Sequence, residues 1–128
     1  MKLHHAAVVC SSEKNADQFY EEILKLEKIK KYILSRDLAE QIFGTPYECQ
    51  IIFYSDGNSA IEVFIPTSSV EKMSPFVHLC LEVGKREQFL GDCLALGITV
   101  KRVKKGESLL SFIEDFDGNL FEIKETLT

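Results

Sequence analysis

Four residues of this chain have the types and spacing to hold a metal ion: His5, Glu62, His78 and Glu122. Two imidazoles and two carboxylates are a donor set for a divalent first-row cation such as Ni, Co, Zn, Fe or Mn. A carboxylate on such an ion can also carry a proton. Taken singly, a strand His or Glu is usually a solvated side chain. What distinguishes this set is its symmetry. Each His falls near the start of a stretch that reads as a strand, and each Glu follows an Asp-Gly-Asn turn. Asp56-Gly57-Asn58-Ser59-Ala60-Ile61-Glu62-Val63 is echoed by Asp117-Gly118-Asn119-Leu120-Phe121-Glu122-Ile123. His5 to Glu62 is 57 positions and His78 to Glu122 is 44, so an insertion of 13, mainly within residues 28–47, accounts for the difference.

A repeated scaffold must position these residues. Residues 3–10 read as a strand. Ser11-Ser12 supplies an N-cap, and Ala16, Phe19, Tyr20, Ile23 and Leu24 follow at helical spacing to about Lys25. Residues 28–35 read as an exposed strand, and 36–48, with Gly44 and Pro46, as mostly loop. Strands 49–55 and 60–65 flank the hairpin turn Ser55–Ser59. Pro66 to Pro75 reads as linking chain. The order then restarts: a strand at 76–83, a helix at 85–96 with Phe89, Leu90, Cys93 and Leu94 on one side and Gly97 at its C-cap, and strands at 98–104, 108–114 and 119–125. Both halves read β-α-β-β-β. The expected class is α+β, a single domain over 1–128 made of modules 1–66 and 76–128 joined by linker 67–75. An internal duplication constrains the whole fold, and each half alone is too small to bury a robust core.

Alternate strand residues point to opposite faces. Ala6, Val8 and Cys10 make one core face; Ile61, Val63 and Ile65, then Val77, Leu79, Leu81 and Val83, then Phe121 and Ile123 make the others. His5, Glu62, His78 and Glu122 lie opposite, on the face the helices leave uncovered. In a curved sheet that face is a cleft where the four can converge. His4 faces away from His5 by the same parity and reads as an end-of-strand imidazole, a substitute only if the register slips by one.

Composition sets outer bounds. The 128 residues are 45% apolar and 27% charged, with net charge −5, an ordinary globular balance. No apolar run approaches the ~20 residues of a membrane helix. The N-terminal segment has no leader-like apolar core, so a cytoplasmic protein is expected. The acidic balance argues against a nucleic-acid partner. Cys10, Cys49, Cys80 and Cys93 form no C-x-x-C pair, and reduced thiols are expected; Cys10 and Cys93 fall on core registers.

In these motifs the sequence resembles the vicinal oxygen chelate superfamily, the glyoxalase / bleomycin resistance / dioxygenase group, over essentially its whole length. The resemblance is carried by His5-Ala6-Ala7-Val8-Val9 leading to Asp17-Gln18-Phe19-Tyr20, by Ile61-Glu62-Val63-Phe64-Ile65-Pro66, by Val77-His78-Leu79, and by Phe112-Ile113-Glu114-Asp115-Phe116-Asp117-Gly118-Asn119-Leu120-Phe121-Glu122-Ile123. Phe116 stands where the usual motif has Pro. The resemblance implies two tandem βαβββ modules forming a curved mixed sheet around a metal site, commonly built at a homodimer interface with one half from each chain. His5, Glu62, His78 and Glu122 match the ligand positions, and Glu62 favours the glyoxalase I-like members. Short bacterial glyoxalases imply Ni or Co ahead of Zn, with Fe and Mn behind. The implied activity is that of a lactoylglutathione lyase: a substrate with vicinal oxygens loses a proton next to a carbonyl, through an enediolate, to Glu122 or Glu62, with Glu122 preferred. Glyoxalases of this group often carry an Arg four residues after the first His, where this chain has Val9. Arg36 or the run Lys101-Arg102-Val103-Lys104-Lys105 are the alternatives for holding an anionic tail, although a solvated edge strand is the simpler account of that run. The other readings are an acyl-CoA epimerase and a non-catalytic drug-binding member, the latter generally lacking the ligand set.

Overall fold

The computed structural model describes residues 1–71 and 74–127. The chain divides into two compact units, Met1–Lys72 and Met73–Thr128.

The first unit opens with strand β1 (Ala6–Val9) and helix α1, α-wound over Glu13–Ala16 and π-wound over Asp17–Ile23. Ser12 caps α1, its side chain accepting from the Asn15 amide, which satisfies one of the orphan N–H groups of the first turn. The helix ends at Ile23, short of the expected Lys25, which sits in the left-handed region at φ 60°. Strands β2 (Glu27–Leu34), β3 (Cys49–Ser55) and β4 (Ala60–Pro66) complete a sheet of order β1-β4-β3-β2. β1 runs parallel to β4; the other pairs are antiparallel.

One face of this sheet packs on α1. Ala16, Phe19, Tyr20 and Ile23 from the helix, and Cys10, Ile52, Tyr54, Ile61 and Val63 from the sheet side, are buried. The Tyr20 and Tyr54 rings lie 5.5 Å apart. Each such aliphatic or aromatic side chain contributes about 1.5–3 kcal/mol on burial. A polar seam borders this face. Lys28 Nζ lies 2.7 Å from Glu13 and 2.9 Å from Asp17, Lys31 Nζ lies 3.1 Å from Glu13, and the buried Tyr54 hydroxyl donates to Asp17 at 2.8 Å. Strand β2 carries a bulge: Lys28 pairs with Tyr54 but Lys30 with Phe53, leaving Ile29 as an extra residue. Lys28 and Lys31 therefore face α1, while Lys30 and Tyr32 face the other way.

The second face of the first sheet is where the structure departs from the expected loop at 36–48. Arg36–Phe43 form helix α2, capped by Ser35, whose side chain accepts from the Leu38 amide, and closed by Gly44 at φ 68°. Ala39 of α2 joins Leu34, Cys49, Ile51 and Phe64 in a cluster on this face, and the Phe43 ring lies 5.4 Å from Phe64. The 14-residue connection 35–48 stands where the second unit has only the turn 106–107, which supplies 12 of the 13 inserted positions.

The second unit repeats the topology. Strand β5 (Leu79–Val83), helix α3 (Arg86–Ala95) and strands β6 (Val100–Lys105), β7 (Ser108–Glu114) and β8 (Leu120–Glu125) give the sheet order β5-β8-β7-β6, with β5 parallel to β8. The protein is thus α+β, two mixed four-stranded sheets in repeated βαβββ modules. Leu90, Cys93, Ile98, Ile113, Phe121 and Ile123 are buried. Cys10 and Cys93 are buried as their registers predict, and burial pushes the Cys93 thiol up to about 11. Three expectations need correcting. β5 starts at Leu79 and not at 76, so Val77 is outside the strand and 49% exposed instead of on a core face. Leu94 is exposed although it neighbours Cys93 on the helix. The Asp-Gly-Asn turns also differ: Asp56 accepts from the Asn58 and Ser59 amides, but in the second unit Asp115 takes this part, accepting from the Asp117 and Asn119 amides. Among the described residues no helix is long and apolar enough to cross a membrane.

Candidate metal centre

Parallel pairing brings His5 to Glu62 and His78 to Glu122. β1 and β4 align Ala7 with Glu62, and His5, two residues before Ala7 and just ahead of the strand, reaches the same carboxylate. His5 Nε2 lies 3.7 Å from Glu62 Oε1. β5 and β8 align Cys80 with Glu122, and His78, two residues before Cys80, does the same: His78 Nε2 lies 3.8 Å from Glu122 Oε1. Both Glu side chains are largely shielded and both His side chains are half-buried.

These separations are too long for hydrogen bonds. Nitrogen and oxygen ligands each about 2.0–2.2 Å from one cation, however, stand roughly 3–4 Å apart. Each pair thus has the donor chemistry and spacing of two ligands of a divalent first-row ion. Among the described residues no group of three or more His, Cys, Asp or Glu side chains gathers in metal-binding geometry.

The second ring nitrogen of each His is engaged. His78 Nδ1 lies 2.9 Å from the Phe76 carbonyl oxygen. That oxygen can only accept, so Nδ1 carries the proton and Nε2 turns its lone pair to Glu122. In the first unit the partner is His4, with the two Nδ1 atoms 2.7 Å apart. One proton lies between them; placed on His5 Nδ1, it leaves His5 Nε2 in the same state as His78 Nε2. His4 therefore turns towards His5, contrary to strand parity, because β1 begins only at Ala6 and the alternation does not extend back to residue 4. Both rings also lie against Phe53, at 5.9 and 5.8 Å.

Each sheet carries the same row of residues across its open face. Phe53 pairs with Glu62 and Lys30 with Phe53; Phe112 pairs with Glu122 and Lys101 with Phe112. His78 faces Phe112 at 6.5 Å, as His5 faces Phe53. The halves differ at the next open-face position of the outer strand. Tyr32 donates its hydroxyl to Glu62 Oε2 at 3.4 Å, and burial together with the Glu62 charge raises its phenol above the ordinary value. The second unit has Val103 there, and among the described residues Glu122 has no hydrogen-bond donor. Further along the first sheet the open face is apolar: Val9, half-exposed, pairs with Phe64 beside α2. Arg36 sits at the start of α2, and the basic run 101–105 splits by parity, with Arg102 clasping both Glu87 oxygens at 2.7 and 2.8 Å. The sequence reading missed His4, Lys30, Tyr32, Phe53 and Phe112 as neighbours of the candidate donors. Strand register places the last four there, whereas His4 lies ahead of β1 beside its chain neighbour His5.

No family model matches the sequence, and no curated protein matches it. Solved structures do match its fold. A glyoxalase family protein from Bacillus cereus superposes with a TM-score of 0.79 at 18% identity, covering 100% of this chain and 95% of that one. A glyoxalase family protein from Enterococcus faecalis gives 0.72 at 21%, covering 95% of each chain. The fosfomycin resistance protein FosX from Listeria monocytogenes gives 0.70 at 18%, covering 99% of this chain and 94% of that one. The chain therefore has the fold of these vicinal oxygen chelate proteins, the fold its motifs resemble. A variant of the Listeria FosX has been crystallised with Mn(II) and 1S,2S-dihydroxypropylphosphonic acid.

Proposed function

We propose that this chain is a metal-dependent enzyme of the glyoxalase I type, moving a proton next to a carbonyl in a small substrate with vicinal oxygens. The observation that carries the reading is the pair of equivalent His–Glu sites, each with N and O donors 3.7 or 3.8 Å apart and each His fixed through its other nitrogen. The two units act as one domain with linker 67–75 between them. His5, Glu62, His78 and Glu122 hold one divalent ion, with one pair from each chain of a homodimer. Ni or Co is favoured, with Zn the alternative; the Mn(II) bound by the Listeria FosX variant supports a divalent cation on this fold. Such an ion supplies Lewis-acid polarisation of the carbonyl beside the carbon that loses its proton.

The chain's own residues divide the remaining work. Tyr32 holds one oxygen of Glu62, which makes that carboxylate less mobile. Glu122 lacks that restraint and is the proton carrier, taking the proton from one carbon and returning it to its neighbour. His4 and the Phe76 carbonyl keep both imidazoles in the ligand tautomer. The open-face wall of Val9, Phe64 and α2 offers the substrate an apolar flank.

Val9, apolar where an Arg would hold a glutathione carboxylate, supports a second reading with the same proton chemistry, an acyl-CoA epimerase. Metal content of protein purified without chelator tests the first step. Wild type is expected to carry the ion and His78→Ala to lose it; equal content in both removes the shared site and with it the enzyme in favour of a binding protein. Deuterium uptake from solvent into a glutathione hemithioacetal, and separately into an acyl-CoA thioester, then divides lyase from epimerase.

A further inference from the structure

Three lysines follow closely in β2, and they are treated differently. Lys28 and Lys31 face α1 and are both paired with acids on it, Glu13 and Asp17. Lys30, turned to the other face by the bulge at Ile29, forms no ion pair among the described residues. Its ammonium instead sits over two rings, 5.5 Å from the Tyr32 centroid and 5.6 Å from the Phe53 centroid. Phe53 pairs with Glu62 and touches His5, so Lys30 ends the row that begins at the metal-donor pair.

The second unit repeats this division without a bulge. Arg102 is paired with Glu87 in the first turn of α3, as Lys31 is with Glu13 in the first turn of α1. Its neighbour Lys101 lies across from Phe112, itself across from Glu122, and has no ion pair among the described residues. The first half-site therefore commits two cations to its helix and the second commits one, and each leaves one lysine open on the donor face. With strands about 4.8 Å apart, the lysine backbone stands about 10 Å from the Glu backbone, a gap that its four-carbon stem shortens. A divalent ion balanced by two glutamates is neutral overall. The uncommitted lysines leave the site positive, and Lys30, exposed and held over two rings, is placed to meet an anion.

We propose that Lys30, with Lys101 as its counterpart, is an anion-binding position of this site, so that the substrate carries an oxyanionic group, carboxylate or phosphonate, in addition to the oxygens it offers the His–Glu pairs. This rests on the metal-site reading above.

The test begins with Mn(II) titration of wild type, Lys30→Met and Lys101→Met, where equal uptake is expected. Each loaded protein is then titrated calorimetrically with glycolate, hydroxymethylphosphonate and neutral glycolamide. Wild type should bind the anions at least ~10-fold more tightly than glycolamide, and Lys30→Met should lose ~10-fold for the anions and nothing for glycolamide. Tighter binding of hydroxymethylphosphonate marks a phosphonate site, and tighter binding of glycolate a carboxylate site. Anion affinity unchanged in both variants, or no preference over glycolamide, overturns the proposal while leaving the metal site intact. If wild type takes up no Mn(II), the metal reading fails instead. The same hydroxymethylphosphonate titration on the metal-free proteins then decides the lysine role, lysine-dependent binding supporting it and lysine-independent or absent binding refuting it.

Discussion

Replacing His4 by Leu isolates the contribution of a single hydrogen bond to metal affinity. With the shared proton on His5 Nδ1, His4 Nδ1 accepts it at 2.7 Å and His5 Nε2 is left free for a ligand role. His4 is exposed, so its loss leaves no cavity in the core. Without that acceptor the His5 ring is free to rotate and to move its proton to Nε2. Loss of such an outer partner typically lowers metal affinity 10–100-fold. Only one of four donors is affected, so about tenfold is expected, equivalent to about 1.4 kcal/mol. His4→Gln, whose amide oxygen can accept the same proton, should recover most of it. The assay is Mn(II) titration with free ion followed by electron paramagnetic resonance, alongside a thermal melt that should not move. No side-chain replacement removes the corresponding acceptor of His78, because it is the Phe76 backbone carbonyl. His4→Leu binding within twofold of wild type, while His5→Ala abolishes binding, would refute the orienting role.

Four other outcomes follow from the same geometry. Glu122→Gln should slow solvent deuterium exchange into substrate by about 10²–10⁴-fold, and Glu62→Gln by clearly less; equal losses would remove the distinction drawn from Tyr32. Tyr54→Phe deletes a buried hydroxyl that donates to the Asp17 carboxylate at 2.8 Å and should cost about 1.5–3 kcal/mol in urea unfolding. Ser111 is 1% exposed and its hydroxyl meets no partner among the described residues, so Ser111→Ala should be neutral or up to about 1 kcal/mol stabilising in the same measurement. Lys28 and Lys31 hold the Glu13 carboxyl below its ordinary 4.5, and the Ser59 and Asn58 amides hold Asp56 below 3.8. Folded values below unfolded ones add stability above the unfolded values that is lost as pH falls through the folded ones. Urea midpoints should therefore fall on acidification below about pH 4.5, and less steeply in Lys28→Met; parallel profiles would exclude the Glu13 contribution.

The repeat was legible because it is written twice, once around each Asp-Gly-Asn turn, and period-two alternation in 61–65 and 121–123 fixes which face Glu62 and Glu122 occupy. Helix α2 was hidden because its core contribution is the single small residue Ala39, while Leu38, Ile42 and Phe43 remain exposed. Its signals, Ser35 before it and Gly44 after it, are equally signals of a loop. His4 and Val77 were misplaced for a common reason: alternation was carried past the ends of β1 and β5, where the backbone is no longer extended in a ladder. Lys30 and Tyr32 were out of reach of any pattern argument. Their facing depends on one extra residue opposite Phe53 and Tyr54, and a bulge has no reliable residue signature here.

That extra residue, Ile29, lets Lys28 and Lys31, three positions apart, share one face of the strand. Were the same residues laid out without a bulge, Lys28 and Lys30 would share one face and Lys31 would stand alone on the other, so the helix seam and the donor row would carry different lysines. Deleting Ile29 would close the bulge and make Lys28 and Lys30 consecutive ladder residues, which leaves each lysine on the face it has now. Proteins of this fold with a single-residue gap at the bulge can therefore present the same charge to a ligand although the spacing of their lysines differs.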